Sequence, residues 1–168
     1  MRCSACARSA PGLAKAPRVA WDSTCFIAWA DRAPTEDPAV LKALVATMAR
    51  MTQGSVRIVA SSAIETEVRP GDVERTRRFH TQLRACPHFE SFGESPAVRS
   101  LARSLQDRLQ QTGRRGSYAD LLHVATAIAA RASEFWTTDE KMIRWYTEGI
   151  ITEVKICKPY LIQGVLDL

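Results

Sequence analysis

The sequence predicts an α/β fold, a three-layer α/β/α sandwich around a parallel sheet, and three observations carry that prediction. Short apolar runs alternate with longer stretches of helical period along most of the chain. The short runs, Val19-Ala20-Trp21 and Val56 to Ala60 among them, lack the polar alternation of a half-solvated strand, so both faces of the sheet need cover. No repeat or low-complexity tract interrupts the pattern. Such an alternation folds as one sheet between two layers of helices.

Each element has its own signals. Val19 to Trp21 ends at Asp22, and Ser23 to Ala30 reads as helix. Asp37 starts a helix with Val40, Leu41, Leu44, Val45, Met48 and Met51 on one face, ended by Gln53-Gly54. Val56 to Ala60 is a strand. Ser61 or Ser62 then caps a helix to Arg69, stopped by Pro70-Gly71. Asp72 opens a further helix through Leu83, and His88 to Phe92 is a short strand. Val98, Leu101, Ala102, Leu105 and Leu109 make a helical stripe ending near Gly113. Ser117 caps a helix whose residues Leu121, Leu122, Val124, Ala125, Ile128 and Ala129 cover more than half its circumference, so it is buried on most sides. Phe135-Trp136 is a brief strand, a helical turn runs through Trp145, and Thr152 to Ile156 is the last strand.

Composition sets the outer limits. The 168 residues are 46% hydrophobic and 24% charged, ordinary for one globular domain. No apolar run approaches the roughly 20 residues of a membrane span, and a cytoplasmic location is expected. Residues 1–17 are small, polar and basic and read as a disordered extension, leaving 18–168 as a single domain. The net charge is +5, but Arg2, Arg8, Lys15 and Arg18 supply four of those charges, so the rest is nearly neutral. Overall charge therefore carries no case for nucleic acid. Five cysteines, Cys3, Cys6, Cys25, Cys86 and Cys157, show no disulfide framework and read as reduced thiols, and Cys3-x-x-Cys6 lacks the second pair a zinc site needs.

The acids are more informative. In parallel sheets ligands bind beyond the carboxyl ends of strands. Asp22 closes the first strand and Asp139 closes the Phe135 strand. Glu65 and Glu67 lie in the helix leaving the second strand, and Asp120 opens the central helix. Singly, each has a structural explanation: Asp22 and Asp139 as N-caps, Asp120 in a capping box with Ser117, the glutamates as solvated helix residues. Together they crowd one sheet edge, where carboxylates repel unless a cation stands between them. Mg²⁺ or Mn²⁺ suits such a set of oxygen ligands.

Four ordered blocks, Val19-Ala20-Trp21-Asp22-Ser23-Thr24, Ser61-Ser62-Ala63-Ile64-Glu65-Thr66-Glu67-Val68, Tyr118-Ala119-Asp120-Leu121-Leu122-His123-Val124-Ala125-Thr126-Ala127 and Thr137-Thr138-Asp139, resemble the signatures of PIN domains. The match is nearest the VapC-type toxins of toxin–antitoxin pairs and covers Arg18 onward. The resemblance implies a five-stranded parallel sheet and a Mg²⁺- or Mn²⁺-dependent endoribonuclease, dimeric and held inactive by an antitoxin. By position, it implies Asp22, Glu67, Asp120 and Asp139 as catalytic acids. Asp22 and Asp120 would hold the metal, with Asp139 and Glu67 binding a second ion or orienting water. Ser23, Thr24 and Thr137 would be supporting hydroxyls. Glu65 lies about 200° around a helix from Glu67, so both cannot face the metal, and the serine-to-glutamate spacing of the family that the chain resembles, counted from Ser61, falls on Glu67.

RNA would need cations beside these acids. Arg114, Arg115, Lys141 and Arg144 are the candidates, with Arg75, Arg77 and Arg78 as a second cluster. Trp145 and Tyr146 read as packed groups, and His123, one helical turn after Asp120, as a packed group or a support to the acids and not a ligand; His80 and His88 show no partner. Glu140 reads as solvent-facing. A receiver-type signalling module would leave Asp120 and Glu67 unexplained despite Lys158-Pro159. An Asp-x-Asp phosphotransferase would want an acid where Thr24 stands. A non-catalytic RNA- or protein-binding module of the same fold, and an RNA-processing or DNA-acting nuclease outside a toxin pair, are the remaining alternatives.

Overall fold

The computed structural model describes residues 16–32, 36–68 and 73–162. The expectations for residues 1–15, for Cys3 and Cys6, for the stop at Arg69 to Gly71, for the Asp72 cap and for the side chains of Arg78 and His80 lie outside them.

Five strands form: β1 (Arg18–Trp21), β2 (Arg57–Ser61), β3 (Phe89–Phe92), β4 (Glu134–Trp136) and β5 (Lys155–Cys157). They make one sheet in the order β3-β2-β1-β4-β5, and every pairing is parallel. The helices are α1 (Ser23–Asp31), α2 (Pro38–Thr52), α3 (Ile64–Val68), α4 (Val73–Arg78), α5 (Pro96–Gln111), α6 (Tyr118–Ala129) and α7 (Glu140–Thr147). After β1 the chain moves outward through β2 and β3, then returns to lay β4 on the other side of β1. The gap between the carboxyl ends of β1 and β4 is therefore the switch point where such sheets bind ligands.

Strand alternation sorts the core into two halves. Val19, Trp21, Ile58, Ala60 and Trp136 face α1, α2, α3 and the segment holding Phe79 and Leu83, whereas Ala20, Val59, Phe135 and Ile156 face α5, α6 and α7. Trp21 and Trp136 stack across β1 and β4, with centroids 6.3 Å apart and planes 17° from parallel. The expected cover on both faces is thus present, and α6 is buried along most of its length.

Several details differ from the sequence reading. On α2 the buried face includes Ala43 and Thr47, while Val45 is 45% exposed. Val45 follows Leu44 by about 100° of turn, which carries it off the stripe. The helix expected through Leu83 changes form: α4 ends at Arg78 and Phe79–Arg84 is π-helical. That segment keeps both Phe79 and Leu83 inward, Phe79 edge-on to Phe26 and Phe89 at 6.0 and 6.1 Å. Thr152 to Val154 do not pair: the chain bends at Glu153 and Val154, the Thr152 N–H donates to the Glu153 carboxylate at 3.0 Å, and β5 starts only at Lys155. Ser61 belongs to β2 and caps no helix.

Candidate functional site

Asp22 leaves β1 at its carboxyl end and enters α1 as its N-cap. Its Oδ1 accepts the Cys25 N–H at 3.0 Å and lies 2.8 Å from the Thr24 hydroxyl. Its Oδ2 accepts the Thr137 hydroxyl at 2.6 Å. The residue is 2% exposed. Burial pushes its carboxyl above the ordinary 3.8, against the hydrogen bonds of Thr137, Cys25 and Thr24 that draw it down. Thr137, the residue after β4, joins Asp22 to the next acid: its oxygen also accepts the Asp139 N–H at 3.0 Å.

Asp139 is the N-cap of α7, its Oδ1 accepting the Lys141 N–H at 2.8 Å. Asp120 stands in the first turn of α6, where its Oδ2 closes the expected capping box on the Ser117 N–H at 3.1 Å. Between them lies Lys141. Its Nζ is 2.7 Å from Asp120 Oδ2 and 3.7 Å from Asp139 Oδ2. Half-burial would raise the Asp120 carboxyl, but the Lys141 and Ser117 bonds outweigh it and leave it below 3.8. Burial draws the Lys141 ammonium down, and its two carboxylates carry it up on balance.

Glu67, on α3, accepts from His123 Nε2 at 2.7 Å, while His123 Nδ1 lies 2.9 Å from the Ser61 hydroxyl. A ring whose Nε2–H is donated to Glu67 leaves Nδ1 facing the Ser61 hydroxyl, so both ring nitrogens are engaged. The His123 bond holds Glu67 below its ordinary 4.5 against burial, assisted by Ser23. The negative charge of Asp120 is near enough to oppose this. Glu65 instead faces Arg84 at 3.5 Å, so the two glutamates diverge and Glu67 is the one on this edge. Glu140 is exposed and pairs with Lys158.

All four expected acids thus line the carboxyl edge of β1, β2 and β4. The pair sharing one cation is Asp120 and Asp139, while Asp22 and Glu67 are held by Thr137 and His123. Among the described residues, no group of three or more His, Cys, Asp or Glu side chains lies close enough to hold a metal as arranged. The donor chemistry nevertheless fits a hard cation: two carboxylates already converge on one positive charge, and Mg²⁺ is commonly held by one or two carboxylates with water. His123 is buried, as its reading as a packed group expects; its bonds to Ser61 and Glu67, and the carboxylate contacts of Lys141, were missed by sequence reasoning. The one available signal was that His123 follows Asp120 by a helical turn.

Beside the acids, Gly113, Arg114, Arg115, Lys141, Arg144 and Trp145 line a cavity of about 260 Å³, so all four expected cations meet there. Arg114 is tied to Glu148 at 2.6 Å, and Arg115 and Arg144 are exposed. Gly116 keeps the wall close: a Cβ there would come within 2.7 Å of the Trp145 ring. Trp145 is itself buried, as the sequence reading had it. The second basic cluster is engaged elsewhere, Arg75 on Asp31 at 2.5 Å and Arg77 on Glu74 at 2.6 Å. No described helix is long and apolar enough to cross a membrane.

No family model and no curated protein sequence matches the chain. Solved structures do match. A chain of the VapBC2 complex of Rickettsia felis, bound to a DNA fragment from its promoter, aligns over 84% of this chain and 98% of its own, with 15% identity and a TM-score of 0.60. A chain of FitAB bound to an IR36 DNA fragment aligns over 88% and 99%, at 16% identity and 0.56. FitAcB of Neisseria gonorrhoeae aligns over 84% and 97%, at 15% and 0.56. At this identity the likeness is one of fold. The strand order, the switch point and these neighbours agree, and the fold of this chain is that of the PIN domains.

Proposed function

We propose that this chain is a Mg²⁺- or Mn²⁺-dependent endoribonuclease and the toxin member of a toxin–antitoxin pair. The observation that carries the reading is the gathering of Asp22, Glu67, Asp120 and Asp139 at the switch point, opposed only by Lys141 and His123 among the side chains bonded to them. Three of these acids also cap helices, but capping does not require that four of them share one sheet edge with so few cations, and a metal ion suits that surplus.

Asp120 and Asp139 would hold the ion, with Asp22, joined to Asp139 through Thr137, as a further carboxylate ligand. The bound ion supplies a water of lowered pKa and a positive charge for the phosphate oxygens. Thr24 and Thr137 fix the Asp22 carboxylate, so its oxygens need no rearrangement when charge enters. His123, held by Ser61, keeps Glu67 ionised and able to accept a proton from water on the α3 side. Arg115 and Arg144 offer the RNA phosphates a cationic path that begins at the acids. The antitoxin reading is supported by fold, since the neighbours are components of the VapBC2 and FitAB complexes, and the homodimer rests on the PIN-domain resemblance alone.

Cleavage of a labelled RNA by the purified chain tests this, with Mg²⁺, Mn²⁺ or EDTA and beside Asp120→Asn. Fragments that need the metal and vanish in the variant are expected. Equal cutting by Asp120→Asn, or none by folded wild type across a panel of structured RNAs, sinks the nuclease reading in favour of a binding module.

A further inference from the structure

Lys141 does something the proposed chemistry does not require. Its ammonium stands between Asp120 and Asp139, where the ion would stand, yet the same side chain lines the basic cavity with Arg114, Arg115 and Arg144. We propose that Lys141 is a two-position cation: the counter-ion of Asp120 and Asp139 until a divalent ion enters, and a phosphate ligand in the adjoining cavity once displaced. This rests on the metal-dependent reading above.

Three observations favour displacement over a fixed salt bridge. The two contacts are unequal, 2.7 Å and 3.7 Å, so Asp139 is only loosely engaged. The Lys141 side chain is 42% exposed, and its backbone is anchored independently through its N–H to Asp139 Oδ1. The side chain can therefore leave without unwinding α7. Its ammonium also lies 5.6 Å from the Trp145 ring, which forms part of the cavity wall, so the second position is adjacent. A lysine and a divalent ion cannot share one pair of carboxylate oxygens. Each therefore weakens the other by the same factor.

Mn²⁺ affinity, measured by electron paramagnetic resonance on wild type, Lys141→Met and Arg144→Met, tests the first position. Lys141→Met is expected to bind Mn²⁺ at least about fivefold more tightly than wild type. Arg144→Met, which removes a nearby charge that touches neither acid, stays close to wild type. Equal tightening in both variants, or none in Lys141→Met, overturns the proposal. A second readout follows the ammonium itself. Acylation of lysines by an activated ester, mapped by mass spectrometry, is expected to rise at Lys141 when Mn²⁺ is added. Lys155, bonded to Glu134 at the other end of the sheet, provides the unchanged reference. Mn²⁺ that binds without exposing Lys141 also overturns the proposal. Absence of Mn²⁺ binding in all three folded proteins is a different result, because it removes the metal-dependent reading along with this one.

Discussion

The two ends of the sheet both collect acids, and they treat them differently. At the amino edge Glu90 accepts from Arg18 at 3.1 Å and from Arg57 at 2.7 Å. Glu134 accepts from Lys155 at 2.8 Å, Tyr160 at 2.5 Å and the Trp136 indole at 2.8 Å. Two acids there meet three basic side chains, and the bonds tie β1 to β3, β2 to β3 and β4 to β5. At the carboxyl edge four acids meet one lysine and one histidine, and Lys141 divides itself between two carboxylates. An edge with more cationic side chains than acids fastens strands. An edge with more acids than cationic side chains holds capacity for a cation from outside.

Activity separates the edges most sharply. Asp139→Asn is expected to cut the RNA cleavage rate at least about a hundredfold, since the metal's electrostatic contribution amounts to several kcal/mol. Glu134→Gln should leave the rate unchanged below its melting temperature. Stability reverses the order. Glu134 is mostly buried and triply bonded, so Glu134→Gln is expected to cost about 1–2 kcal/mol in urea unfolding, with a smaller loss in Asp139→Asn. Similar losses of stability at the two edges would erase the distinction.

Acid titration sharpens it further, because Glu134 and Asp22 have opposite signs. Burial raises Glu134, but Lys155, Tyr160 and Trp136 prevail and hold it below 4.5. Its folded value is depressed, so its stabilisation is present above 4.5 and lost as the pH falls through the folded value. Asp22 is raised above 3.8 by burial, so its ionisation costs stability at neutral pH, and that cost disappears on acidification. The deficit of Glu134→Gln should therefore be largest near neutrality and shrink as the pH falls. Asp22→Asn should compare best with wild type near neutrality and lose ground toward pH 3.8. Urea unfolding between neutral and acid pH reads both, and parallel curves for the two variants would contradict the assignment.

The fold was legible because it depends on patterns that one sequence carries: apolar runs at Val19 to Trp21 and Val56 to Ala60, helical stripes, and caps at Asp22, Asp37, Ser117 and Asp139. So was the placement of the acids, since a parallel sheet puts the ends of β1, β2 and β4 on one edge. What could not be read was who neutralises whom. Ser61 looked like a cap because it stands before a helix, and only the packing of α6 against β2 brings His123 to it. Lys141 reads from sequence as a cation for RNA and not as the counter-ion of Asp120, because that partner is 21 residues away. The bend at Glu153 and Val154 likewise has no signal in the apolar pattern, and Glu153 there bonds the Thr152 N–H and Arg108 on α5.

The finest contrast lies among the arginines. Arg115 and Arg144 line the cavity beside the acids, whereas Arg77 is bonded to Glu74 on α4, away from this edge. If the cavity seats RNA phosphates, neutralising either cavity arginine removes a contact that releases counterions. The slope of log affinity against log salt for a single-stranded RNA in EDTA should then flatten by about 0.7 per lost contact. Arg77→Ala should leave the slope as in wild type, because that charge is already balanced. The measurement weighs position against bulk charge, since all three substitutions remove one positive charge. Equal slopes for Arg115→Ala, Arg144→Ala and Arg77→Ala would mean that RNA senses only the net charge, and that the arginines beside the acids form no path.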